Sequence, residues 1–166
     1  MGVNAAEALA ADGYRFITSI EPATGDYDAQ GHLNNAAIVR FFNDVRVAYV
    51  QQRVGTRWTD LLRSEAYVVA ARELHVLYES EGLPGERFVG AMRYAYREGK
   101  ASVLEQRIVE HATARPVARA WVVQLLVRDG RAVDWPELYF DLVAEVEGRP
   151  IERRRPRPRP PFGPPA

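Results

Sequence analysis

The chain is 166 residues long, which suits a single domain core and is short for two. Hydrophobic residues make up 47% and charged residues 27%, and no apolar run nears the roughly 18 residues of a membrane-spanning helix, so a soluble globular chain without a membrane span is expected. The formal charge is zero but unevenly spread: residues 149–166 carry +5 and the rest −5, which argues against a folded domain with a broad nucleic-acid footprint.

Residues 1–12 are small and polar without a period and are expected to be a flexible leader to a domain over 13–148. They have neither the basic nor the apolar stretch of a signal peptide, so a cytoplasmic location is the default expectation. Residues 14–21 suit a first strand, and a polar loop rich in Gly, Asp and Asn follows over 25–35. A helix is predicted over 36–54, free of Gly and Pro, with Asn34 or Asn35 to cap its start and Gly55 to end it. Its apolar residues Ile38, Phe41, Phe42, Val45, Ala48 and Tyr49 follow helical spacing, while Val39, Val47 and Val50 widen the apolar surface, so most of it should be enclosed.

After a short helix or loop at 58–62, four segments rich in Val, Tyr, Phe and Leu read as long strands: 66–79, 87–97, 101–111 and 117–128. Their short separators predict a consecutive antiparallel meander. The last strand is apolar on both faces, which implies cover on both sides and points to a homodimer or homotetramer. Residues 137–147 suit a helix, and seven of the last 18 residues are proline, so 149–166 is expected to be a disordered Pro/Arg-rich tail, able to present a polyproline or basic ligand to a partner.

The chain lacks cysteine, which excludes disulfides, a thiolate nucleophile and Cys-ligated zinc. No serine sits in a Gly-x-Ser-x-Gly elbow, and neither a Walker loop nor a dinucleotide fingerprint occurs. The informative segment is Gly25-Asp-Tyr-Asp-Ala-Gln-Gly-His-Leu-Asn-Asn35, directly before the enclosed helix. Asp26, Asp28, Gln30 and Gly31 mimic the opening of a calcium loop, but Ala37 stands where its bidentate glutamate belongs, and no further His-rich pairing supports a metal site.

Asp and Asn in such a loop make turns and cap helices. The same residues also suit chemistry. The unpaired N–H groups of a helix N-terminus favour an oxygen that becomes negative, and a carboxylate beside them can attack or activate water; thioester hydrolysis needs both parts.

The pattern Asp-x-Asp-x-x-Gly-His-x-Asn-Asn, followed by Phe-Phe and an arginine, is carried here by Asp26, Asp28, Gly31, His32, Asn34, Asn35, Phe41, Phe42 and Arg46. It resembles the acyl-CoA thioesterases of the hot-dog fold, particularly the 4-hydroxybenzoyl-CoA thioesterase-like group. The resemblance is specific there and extends more loosely over 14–127. It implies an α+β hot-dog fold, an antiparallel sheet wrapped around a long central helix.

The resemblance also assigns roles. Asp28 would be the catalytic carboxylate, as nucleophile or as general base, and the backbone N–H near Asn35 would polarise the thioester carbonyl. Gly31 would let the loop pass close to the substrate. His32 and Asn34 would orient the loop or position water, with His32 equally suited to a structural hydrogen bond. Phe41, Phe42 and Tyr49 would line the acyl pocket or simply fill the core. The strand around His75 lacks the Asp-Tyr or Asp-Phe pair common in relatives, Asp44 suits a structural polar contact, and a histidine four residues after Asp28 does not fit a hot-dog hydratase, whose spacing is five. The expected activity is hydrolysis of an acyl-CoA or acyl-carrier thioester without metal or cofactor, coenzyme A entering only as part of the substrate. The alternative is a non-catalytic acyl-CoA or acyl-ligand binding protein.

Overall fold

Among residues 4–156, which the computed structural model describes, the chain runs α1 (Ala5–Ala11), β1 (Phe16–Ile20), α2 (Asn35–Tyr49), α3 (Thr56–Ser64), β2 (Val68–Tyr78), β3 (Phe88–Glu98), β4 (Ala101–Glu110), β5 (Pro116–Arg128), β6 (Arg131–Val133), α4 (Glu137–Glu147) and β7 (Arg153–Arg154). The four long strands and α4 fall where alternation and turn residues predict them. No described helix is long and apolar enough to cross a membrane.

The sheet order is β1–β3–β4–β5–β2, with β6 beside β5 and β7 beside β3. The meander therefore holds for β3, β4 and β5 but not for β2, which pairs with β5 instead of its successor β3. The connection over 79–87 is no hairpin turn: the Glu79 and Ser80 N–H groups both donate to the Val117 C=O. The described residues pack as two compact units, one of Val76–Met92, Gln106–Ala120 and the chain up to Tyr49, the other of Val50–His75, Arg93–Glu105 and the chain from Trp121.

In the first unit, α2 buries Ile38, Phe41, Phe42, Val45 and Tyr49, at roughly 1.5–3 kcal/mol of hydrophobic stabilisation for each large side chain. Tyr49 meets the Phe16 ring edge-on at 5.3 Å. Gly90 of β3 leaves room for the helix, since a Cβ there would lie 2.4 Å from Val45 Cγ2. From β4, the buried Gln106 side chain donates to the Phe42 C=O at 2.8 Å and accepts from Arg46 at 3.2 Å. The helix is thus held by shape and by the buried Gln106 side chain.

The expected loose leader is instead ordered from Asn4. Asn4 and Glu7 form a capping box, and α1 buries Ala5 and Leu9 against Tyr14, Val89, Ala91 and Val109. Part of the outward apolar surface is therefore covered by this chain's own first helix. With one large apolar residue, Leu9, the segment shows too little periodicity to be read as a helix; its burial supplies the stability that propensity alone does not.

The second unit centres on aromatic packing: the Trp58, Trp135 and Tyr139 rings lie within 6.0 Å of one another, and the Tyr94 and Phe140 rings stand edge-on to Tyr139. The single helix expected over 36–54 stays α-helical only to Tyr49; Val50–Val54 is a π-helical turn closed by Gly55 N–H on the Val50 C=O. Gly55 does adopt a positive φ of 80°, but it opens α3 and is not a left-handed cap. The tail expectation is corrected for 149–156. Ile151 is buried, Arg153 and Arg154 pair in parallel with Arg97 and Glu98, and Arg97 N–H donates to the Glu152 C=O. Those β3 residues lie beyond Met92, where pairing with β1 ends, so their backbone is open to a second strand. The rest of the Pro/Arg segment, 157–166, lies outside the described residues.

Candidate active site

The loop before α2 is folded by its own polar side chains, and its two aspartates have opposite fates. Asp26 is buried in a 3-10 turn, with Arg40 Nη2 2.6 Å from both carboxylate oxygens and the Ala23 N–H donating at 2.8 Å. Arg40, and then the Ala23 N–H, hold this carboxyl below its ordinary range against the opposing push of burial. Arg40 also reaches Asp44, which makes the structural contact expected of it. Asp26 is thus an internal anion that ties the loop to the second turn of α2.

Asp28 is exposed. Its N–H donates to the His32 C=O at 2.8 Å, and its Oδ1 accepts from the Gln30 and His32 N–H groups at 2.9 and 3.0 Å. These are the bonds of an aspartate-stabilised turn. The His32 N–H, with smaller help from Gln30, holds the Asp28 carboxyl below its ordinary value although desolvation pushes the other way. Gly31 closes the turn at φ +82°, a conformation that disfavours a side chain.

Asn34 caps α2. Its Oδ1 accepts the Ala37 N–H at 2.7 Å, its C=O accepts the Ile38 N–H at 3.2 Å, and its own N–H donates to the Asp26 C=O. The sequence leaves the cap open between Asn34 and Asn35. With Asn34 in that role, the Asn35 and Ala36 N–H groups lack acceptors among the described residues, as two of the orphan donors that make a helix start electropositive.

An open cleft of about 270 Å³ runs between this loop and residues 78–82; Asp28, His32, Asn35, Leu33 and Ile38 line one side. The two sides are joined by the Leu33 N–H, which donates to the Gly82 C=O at 2.9 Å, and by His32 Nε2, 3.4 Å from Glu81. Gly82 fits closely here: a Cβ would lie 2.5 Å from Leu33 Cδ1, so a side chain would force Leu33 to shift.

Of the expected site residues, the structure brings Asp28, His32 and Asn35 together in this cleft, with Gly31 and Asn34 shaping the loop and cap behind it. Phe41 and Phe42 do not line it. Phe42 is fully buried, and Phe41 borders a smaller depression of about 170 Å³ with Arg40 and Asp44. His75 lies against Glu73, and the His111 N–H donates to the Arg87 C=O. Among the described residues no three His, Asp or Glu side chains converge in a metal-binding group.

Sequence reasoning missed the opposite wall. Residues 81–85 read as a turn between strands, and nothing local to them signals a cleft. Arg115 organises that wall by donating to Ser80 Oγ, the Glu81 C=O and both Glu86 carboxylate oxygens. Its partners lie 29 to 35 positions away.

Similarities to known proteins bear on the fold that carries this cleft. A thioesterase from Thermus thermophilus, solved with coenzyme A and Zn, is 24% identical with a TM-score of 0.71 over 84% of this chain and 99% of that one. A Staphylococcus aureus protein solved with CoA is 17% identical, with a TM-score of 0.70 over 88% and 89% of the two chains. A 1,4-dihydroxy-2-naphthoyl-CoA thioesterase from Synechocystis is 9% identical, with a TM-score of 0.69 over 78% and 96%. At these identities the likeness is one of fold: the antiparallel sheet and long helix of the hot-dog arrangement. No curated protein matches the sequence. The model of the thioesterase-like superfamily matches residues 22–145, most of the chain and all of the cleft, and the protein belongs to that superfamily.

Proposed function

We propose that this protein hydrolyses acyl-CoA or acyl-carrier thioesters to a carboxylic acid and a free thiol. The observation that carries this reading is the presence in one cleft of a turn-fixed carboxylate, Asp28, and the unpaired N–H donors at the start of α2. A thioester carbonyl oxygen seated on the Asn35 N–H becomes negative as the carbon turns tetrahedral, and one such donor is worth roughly 3–4 kcal/mol of barrier. Asp28 then acts in one of two ways. As nucleophile it bonds to the carbonyl carbon, the C–S bond breaks, the thiolate takes a proton, and water cleaves the resulting anhydride. As general base it takes a proton from a water that attacks the same carbon. Water is the only co-reactant in either route. His32 orients the loop through its own N–H and C=O. The two fold relatives solved with coenzyme A favour that thiol as the carrier, and such thioesters would place the reaction in the cytoplasm.

A second copy of the chain would complete the site. The cleft is open and falls below the roughly 300–1,000 Å³ of typical ligand pockets. Strand β2 stands at the end of the β1–β3–β4–β5–β2 order with Leu74, Leu77 and Tyr78 exposed, an apolar strand of the kind that pairs with another chain.

Thiol release across an acyl-CoA panel tests the reading: wild type turns over at least one ester, and Asp28→Asn loses about 100-fold or more in kcat with its melting temperature retained. A silent panel with retained acyl-CoA binding by calorimetry would replace hydrolysis with the binding-protein reading. Single turnover in ¹⁸O-water identifies a nucleophilic Asp28 when the first product is unlabelled and Asp28 itself gains the label, the outcome of water opening the anhydride at the aspartyl carbonyl.

A further inference from the structure

We propose that Glu81 makes this cleft selective for acyl groups without negative charge, an inference that rests on the hydrolase reading above. The cleft combines an apolar part, Leu33 and Ile38 with Tyr78, and the carboxylates Asp28, Glu79 and Glu81. Glu79 is matched by Arg119 at 2.9 Å. Glu81 has no such match among the described residues; its carboxylate lies 3.4 Å from the His32 imidazole.

The backbone that carries Glu81 is pinned from several directions. Arg115 donates to the Glu81 C=O at 2.5 Å and to Ser80 Oγ at 2.6 Å, and it grips Glu86 at 2.6 and 2.7 Å. The next residue, Gly82, accepts the Leu33 N–H and lies against the Leu33 side chain. The backbone that carries Glu81 is thereby held beside the cleft, while the side chain itself is 65% exposed, so its field is felt most at low ionic strength. The cations of this wall are already engaged, Arg115 with Glu86 and Arg119 with Glu79.

A substrate with its carbonyl at Asp28 and Asn35 sends its acyl chain along the remaining cleft. A carboxylate at the far end of that chain shares the cleft with both Asp28 and Glu81, and repulsion strengthens as the ligand displaces water. A straight alkyl or aryl group meets Leu33, Ile38 and Tyr78 without that penalty. The substrate class is accordingly a neutral, apolar acyl thioester, and half-thioesters of dicarboxylic acids are rejected.

The test compares valeryl-CoA with glutaryl-CoA, which have the same number of acyl carbons, in wild type, Glu81→Gln and Glu81→Lys at low ionic strength. The quantity read is the ratio of the two kcat/KM values, with melting curves to confirm folding. Wild type should favour valeryl-CoA by about tenfold or more, Glu81→Gln should narrow the ratio about fivefold, and Glu81→Lys should narrow it further. Added salt should narrow the wild-type ratio as well. Turnover of valeryl-CoA with equal use of glutaryl-CoA, or a ratio that neither variant changes, overturns the inference while leaving the hydrolase reading intact. Turnover of no ester in the wider panel overturns both.

Discussion

Asp28 accepts hydrogen bonds from the backbone of its own turn, and these decide its pH behaviour. Its carboxyl is held below the ordinary value, about 3.9 for aspartate, so the anion that the proposed hydrolysis uses persists below that pH. The acid limb of kcat/KM due to Asp28 should therefore fall below about pH 4, measured on a substrate stable to acid. Asp26, two positions earlier, answers to stability. Its folded-state carboxyl is depressed by Arg40, so its contribution is present above the ordinary aspartate value and is lost as pH falls through the depressed one. Asp26→Asn should cost about 1–2 kcal/mol at neutral pH by urea denaturation, because Arg40 stays half exposed and keeps Asp44. Both aspartates stand out in the motif, but residue type cannot separate them. The arginine that claims Asp26 lies 14 positions away.

Helix α2 owes its length to an uninterrupted run of helix-compatible residues and its placement to Gly90. Gly90→Ala would push a methyl group to 2.4 Å from Val45 Cγ2. It should destabilise the protein by about 1–3 kcal/mol in chemical denaturation, since overpacking forces the helix or strand to shift. At the other end, Asn34→Ala removes the acceptor for the Ala37 N–H and should cost about 1 kcal/mol. Activity should drop with it, because the Asn35 donor is aimed by that cap. The helix span was legible from spacing and the absence of Gly and Pro, and the cap was narrowed to two neighbouring asparagines. The π-helical turn over Val50–Val54 and the burial of α1 were not, since neither leaves a periodic trace in so few residues.

Across the chain, order extends beyond the segment with obvious domain composition. Ending the protein after Gly148 would remove Ile151 and the pairing of Arg153 and Arg154 with β3. The truncated chain should melt several degrees lower, with exposed β3 backbone promoting aggregation by light scattering. Strand positions, the long helix and the Asp28 loop were readable because periodicity, turn residues and caps depend on neighbours a few positions apart. The motif also pointed to Asp28, His32 and Asn35, whose meeting in one cleft follows from their closeness in sequence. Contacts between distant segments leave no such local signature. The placement of β2 beside β5, the withdrawal of Phe41 and Phe42 from the cleft, the Arg115 clamp and the approach of Glu81 to His32 all depend on the chain doubling back across dozens of residues. Many sequences with the same local pattern could close differently, so packing and long-range hydrogen bonds, not residue order alone, select these contacts.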